Sequence, residues 1–171
     1  LQLSLLAELG ELALRRLDVP AHLAAWCEDY LALEAAGWKG REGSALSSDP
    51  RATRFFRETL AAAWAAGRLQ FLRLDLDGRA IAMLVNFLTP PGSFSFKTVF
   101  DEAYARFSPG VLVQIENLAI LDDPAIAWMD SCAMDDHPMI DSFWTGRRTL
   151  VRVTVPLRGT SRRLVHGLCR A

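Results

Sequence analysis

Apolar residues along the chain change period near Gly67. Before it, leucine, alanine and tryptophan recur at steps of three and four, as in "SLLAELGELALRRL" (4–17) and "PAHLAAWCEDYLALEAAGW" (20–38). That spacing draws one apolar stripe along a 3.6-residue helix, so both segments are expected to be helical. Residues 38–50, "WKGREGSALSSDP", read as a loop by composition. Ser48 or Asp49 then caps a third helix, with Pro50 where a missing N–H does no harm and Gly67 as the stop.

Beyond Gly67 the period falls to two. "RLQFLRLDL" (68–76), "RAIAMLVNFLT" (79–89) and "SFSFKTVF" (93–100) read as strands, parted by Asp77-Gly78 and by Pro90-Pro91-Gly92-Ser93. Asp-Gly between alternating apolar residues predicts a hairpin, because a type I′ turn needs positive φ at both central positions. Helical spacing returns in "SPGVLVQIENLAIL" (108–121) and ends at Asp122-Asp123-Pro124. "AIAWMDSCA" (125–133) reads as a short strand, "DDHPMIDSFWTG" (135–146) as a capped helical segment, and "RTLVRVTVPL" (148–157) as a last strand. The tail "TSRRLVHGLCRA" (160–171) is either a terminal helix or frayed. The helix after the third meander strand is long enough for a crossover, which allows parallel pairing beyond it. The expected fold class is therefore α/β: a mixed central sheet with an antiparallel meander and helices on both faces.

Composition narrows the function classes. The chain has 171 residues, 51% hydrophobic and 23% charged, with net charge −1, which fits one globular domain. Such a balance speaks against a general nucleic-acid binder, so no DNA partner is expected. Only Lys39 and Lys97 interrupt an otherwise all-arginine basic set, as a high-GC bacterial genome would give. Cys27, Cys132 and Cys169 stand far apart, as do His22, His137 and His166, so neither a metal site nor a disulfide is expected. A reducing, cytoplasmic compartment fits. The opening residues hold no basic n-region and no apolar run of ~18 residues, and read as neither a signal peptide nor a membrane span. Residue 1 is leucine, and residues 1–19 are expected to form a linker helix continuing from an upstream lobe of the same protein.

Three blocks carry a resemblance: "LALEAAGWKGREGSAL" (31–46), "FKTVFDEAYARFSPGVLV" (96–113) and "DSCAMDDHPMIDSFWTGRR" (130–148). In this order they resemble the GNAT acyltransferase superfamily, and within it the CelD (cellulose biosynthesis) type, related to the Fem aminoacyl transferases. The resemblance implies a GNAT fold over residues 1–171, placed as the C-terminal lobe of a tandem-lobe protein. It also implies an acyl-CoA donor (acetyl-CoA) without a metal, and an amine acceptor in exopolysaccharide or cell-envelope metabolism. Two alternatives stand beside it, a non-catalytic scaffold or binding lobe and a Fem-like transferase using aminoacyl-tRNA. The usual glycine-rich phosphate loop of the superfamily is replaced here by Arg106-Phe107-Ser108-Pro109-Gly110-Val111.

The first N–H groups of a helix lack intrahelical partners and lie at its positive end, which suits an anion. If the donor is coenzyme A, the amides of Gly110, Val111 and Leu112 hold its pyrophosphate, with Ser108 at the helix mouth and Arg106 adding charge; otherwise Ser-Pro-Gly simply starts a helix. Amine acylation needs a base for the ammonium and an acid for the thiolate. Asp101 and Glu102 offer the base and Tyr104 the acid, unless the two carboxylates are merely solvated. His137, oriented by Asp130, is a second base, or else it and Asp136 only cap the helix that Pro138 begins. Cys132 is expected to be inert packing in an apolar strand. Lys97, charged among apolar neighbours, is expected to pair with Asp101 or Glu102 or to contact donor or substrate. Trp38, Lys39 and Arg41 either bind a polar or sugar-linked amine or are a packed tryptophan with two solvated cations.

Overall fold

The structure, a computed structural model, describes residues 2–134, 136–142, 144–151, 153 and 155. Five strands, β1 (Leu12–Arg16), β2 (Leu69–Leu76), β3 (Arg79–Thr89), β4 (Gly92–Phe100) and β5 (Trp128–Asp130), form one sheet in the order β1-β2-β3-β4-β5. The first four are antiparallel and β5 runs parallel to β4. The expected β2–β3 turn is present, with Asp77 and Gly78 at φ 50° and 77°.

The opening segment departs from its expected form. Helix α1 covers only Gln2–Ala7, and residues 12–16 are an edge strand, β1, rather than part of a helix over 4–17. Residues 1–19 are therefore not a linker helix, and the meander has four strands instead of three. Asp77 pins this edge: its Oδ1 accepts the Glu11 N–H (2.8 Å), and its own N–H donates to the Glu11 carbonyl (2.8 Å).

Helices α2 (Leu23–Ala36) and α4 (Pro50–Ala65) are near the expected bounds, and the loop between them carries a short helix, α3 (Trp38–Arg41). Asp49, not Ser48, caps α4 by accepting the Arg51 N–H at 2.8 Å. Helix α5 (Pro109–Asn117) runs on into a 3-10 turn over Leu118–Asp122. The later elements are shorter than expected: β5 holds three residues, and α6 covers only Pro138–Asp141. Residues 148–151, 153 and 155 are not in a strand, and the remainder of 148–157 and all of 160–171 lie outside the described residues. Among the described residues no helix is long and apolar enough to cross a membrane.

Helices cover both faces of the sheet. On one face α2 and α4 bury Trp26, Tyr30, Phe56 and Leu60 against Phe71, Met83 and Val85. On the other, α1 and α5 bring Leu6 and Val113 onto Leu72, Leu74, Leu84 and Phe107. Because β3 is covered on both faces, residues 80–85 form a continuous buried apolar run. Each such side chain contributes about 1.5–3 kcal/mol on burial, which fixes the sheet as a rigid frame for its β4–β5 end.

Candidate functional site

Strand β5 pairs with β4 only at Gly92↔Trp128, Ser93↔Met129 and Phe94↔Asp130, while β4 continues to Phe100. A side chain on Gly92 would stand 2.4 Å from the Trp128 ring, so this closed end of the pair requires glycine. Just beyond it the register against β3 shifts between Val85 and Asn86, leaving Phe96 as the extra residue of a bulge. A bulge bends its strand and increases its twist. From Ser95 to Phe100 the outer edge of β4 has no strand partner among the described residues. Such an edge offers backbone N–H and C=O groups to a ligand carrying amides of its own.

One end of the cleft is the start of α5. Ser108 takes a left-handed conformation (φ 53°, ψ 51°) and Pro109 opens the helix. The Ser108 carbonyl accepts the N–H groups of both Val111 (2.9 Å) and Leu112 (3.1 Å). Of the three amides expected to face an anion, only that of Gly110 therefore has no partner among the described residues. The Ser108 hydroxyl accepts the Gln2 side-chain amide (3.2 Å), and the exposed Arg106 lies over the Phe107 ring at 4.5 Å.

A buried polar ladder bolts α5 to the strand that borders the cleft. The Asn86 amide donates to Gln70 Oε1 and Asn117 Oδ1, both at 2.6 Å, and its oxygen accepts the Ser95 hydroxyl at 2.7 Å. Asn117 donates to Gln114 (3.3 Å), which donates to Thr98 on β4 (2.8 Å). Sequence reading missed this ladder; its signal is one uncharged amide in each of two neighbouring strands, Gln70 in β2 and Asn86 in β3, which face each other across the pair.

On the α2 face of β4 stands Glu34, also missed, with its side chain 1% exposed. Its Oε1 lies 3.1 Å from Lys97 Nζ and 3.6 Å from Lys39 Nζ, and its Oε2 accepts the Leu46 N–H at 2.7 Å. Lys97 thus pairs with Glu34 and not with the expected Asp101 or Glu102. Burial lowers the Lys39 pKa, as does the charge of Lys97, and Glu34 only partly offsets this. Tyr30, buried on α2, donates its hydroxyl to the Lys97 carbonyl at 3.3 Å, beside the bulge.

The expected carboxylates are engaged. Glu102 accepts the Arg41 guanidinium and the Trp38 N–H, both at 2.8 Å, and these bonds, Arg41 first, hold its pKa below the ordinary value. It ties the α2–α4 loop to the segment between β4 and α5. Asp101 caps the turn Glu102–Phe107 through the Ala103 N–H (3.0 Å) and pairs with Arg79 at 2.9 Å. Tyr104 is half-buried in the α5-side core, and its hydroxyl makes no hydrogen bond among the described residues. His137 caps α6 through Nδ1, and Asp130 accepts the Cys132 N–H (2.8 Å) and meets Arg148 at 3.5 Å. Asp130 and His137 are not brought together by any hydrogen bond. Trp38 is 51% exposed with Lys39 over its ring at 5.6 Å, so it is not the packed tryptophan of the alternative.

Cys132 lies outside β5 and is exposed, contrary to the expectation of strand packing. Although the residue is exposed, partial desolvation of its sulfur and then Asp130 raise its pKa, which leaves it a weak nucleophile. Among the described residues no cluster of histidine, cysteine or carboxylate could hold a metal ion. An open groove of about 1020 Å³ lies at the opposite sheet edge, lined by Arg15, His22, Trp26, Arg73 and Asp75 among others. Within it Asp75 pairs with Arg15 and Arg73, and Arg73 also with Asp29.

Residues 2–136 match the family model described as "Acetyltransferase (GNAT) domain". Sequence comparison with curated proteins gives no match. Among solved structures, the fold is similar to a GCN5-related N-acetyltransferase from Ralstonia eutropha JMP134 (TM-score 0.60, 17% identity, covering 87% of this chain and 100% of that one). It is similar to an aminoglycoside acetyltransferase from an uncultured soil metagenomic sample in complex with sisomicin (0.61, 13%, 86% and 97%). It is also similar to the PaiA N-acetyltransferase of Thermoplasma acidophilum in complex with coenzyme A (0.53, 14%, 68% and 75%).

Proposed function

Because the chain belongs to the acetyltransferase (GNAT) domain family, we propose that it moves an acetyl group from acetyl-CoA to the amine of a small or glycan-linked acceptor. The observation that carries this is the parting of β4 and β5 after Phe94, with the start of α5 beside the open edge. The donor's amide-bearing arm pairs along Ser95–Phe100, and its diphosphate meets the free Gly110 N–H at the positive end of α5, with Arg106 nearby. The neighbour holding coenzyme A on the same fold supports this choice of donor. The acceptor enters from the other face, between β4 and the loop carrying Trp38, Lys39 and Arg41.

The amine attacks the thioester carbonyl carbon; a C–N bond forms, the C–S bond breaks, and the sulfur leaves with the electron pair. Tyr104, whose hydroxyl is uncommitted, gives its proton to that thiolate. The amine's proton passes through water to Glu102, because both of its oxygens already accept hydrogen bonds, Oε1 from the Trp38 N–H and Oε2 from Arg41. His137 is the second base once it releases the cap, because the Ile140 N–H occupies its Nδ1 lone pair and leaves the neutral ring its proton on Nε2. The three-block likeness to the CelD type supports an acceptor of exopolysaccharide or cell-envelope metabolism, a cytoplasmic site of action and an upstream lobe.

Thiol release from acetyl-CoA over a panel of primary amines tests the transfer. Tyr104→Phe is expected to lower kcat by about 10²–10⁴-fold, the usual range for one acid or base, while acetyl-CoA still binds. Gly110→Val is expected to weaken acetyl-CoA binding itself. No heat with millimolar acetyl-CoA, and no thiol release with any amine, would favour the scaffold lobe or the aminoacyl-tRNA transferase instead.

A further inference from the structure

A buried carboxylate that serves two ammonium groups leaves one positive charge over. Glu34 spends Oε2 on the Leu46 N–H, so Oε1 alone faces Lys97 and Lys39. Two other acids, just beyond the end of β4, are occupied: Glu102 holds Arg41 and the Trp38 N–H, and Asp101 holds Arg79. Both ammonium groups remain partly open, with side chains 28% and 24% exposed, between the exposed rings of Trp38 and Phe96. Lys97 also stands over the Phe96 ring at 5.5 Å, which fixes it at the bulge. The lowered pKa of Lys39 has burial and Lys97 as its first two causes, and a bound anion would oppose both.

Resting on the acetyl transfer proposed above, we infer that the acceptor carries an anionic group, a phosphate or a carboxylate, held by Lys39 and Lys97 while its amine faces the β4–β5 split. Glu34 is the positioning residue: buried and bonded at both oxygens, it sets the direction of both ammonium groups and leaves one charge for the ligand. The donor's diphosphate belongs to the start of α5 on the opposite face of the sheet, so the two anions do not compete. A neutral or polycationic amine gains nothing from this cluster, and a polycation is repelled by it.

Paired acceptors separate the possibilities. Glucosamine is compared with glucosamine 6-phosphate, and an amino-acid amide with the free amino acid, by kcat/KM in the thiol-release assay. At least one anionic member is expected to be preferred by about tenfold or more, the worth of one charged hydrogen bond, and the preference should fall as salt rises. Lys39→Met, which leaves Glu34 its Lys97 partner, should move that ratio toward unity, while Lys97→Arg keeps it. Calorimetry of each pair without acetyl-CoA should show the same preference and its loss in Lys39→Met. Equal kcat/KM within both pairs, or a Lys39→Met change that lowers both members alike, overturns the inference. If no amine releases thiol, the transfer reading fails by itself, and the calorimetric difference still decides whether the anion site exists.

Discussion

Glu34 and Glu102 are carboxylates of opposite exposure, and each joins the α2–α4 loop to β4 or its continuation. Glu102, held below the ordinary glutamate value of 4.5, carries fewer protons in the folded chain than in the unfolded one across the acid range. Its contribution is fully present above that ordinary value and is lost as pH falls through the lowered one. Glu102→Gln should therefore flatten the acid limb of a Tm-against-pH curve, the two proteins converging at the lowest pH. An unchanged limb would show that the Arg41 link contributes nothing to stability. Neither role was legible in sequence. A glutamate in an amphipathic run reads as solvent-facing, and only the fold reveals that Glu34 points inward at two lysines. The charge on Lys97 signalled the need for a partner, but which acid supplies it depends on how α2 crosses β4. Burial raises the Cys27 pKa to about 11, so it is a poor thiolate.

At the scale of elements, the α5 junction was legible because Ser-Pro-Gly before an apolar run is local chemistry. What Ser108 does with its carbonyl was not, since a left-handed residue capping two amides is a matter of backbone geometry. The opening segment misled for a related reason: leucines at 3, 5, 6, 9, 12, 14 and 17 satisfy both periods, and Gly10 divides a helix from an edge strand. Pairing with β2 decides the second half, a contact more than fifty residues away in sequence. The polar ladder from Gln70 to Thr98 likewise joins strands and helix that are distant in sequence. Asn86→Leu removes three hydrogen bonds and leaves buried partners unpaired, each costing about 1–3 kcal/mol. Its urea midpoint is expected to fall by a corresponding amount, and acetyl-CoA affinity with it, because α5 loses its tie to β3 and β3 its side-chain bond to Ser95 of β4. An unaltered midpoint would mean that the ladder does not hold the helix.

For the whole molecule, the succession of helices, antiparallel meander, helix and parallel strand was readable, because period changes and turn residues are written locally. Helices on both faces and the crossover into β5 followed from that order. The place where β4 and β5 separate did not, since it depends on the Phe96 bulge and on the fit of Trp128 over Gly92. In the proposed reading, that separation is where the extended thioester lies. A crystal structure with coenzyme A bound tests it most directly. The account predicts the pantetheine arm along the open edge of residues 95–100 and the diphosphate at the Gly110 N–H. Coenzyme A found at the β1 groove, or a cleft closed by the chain's own side chains, would contradict it.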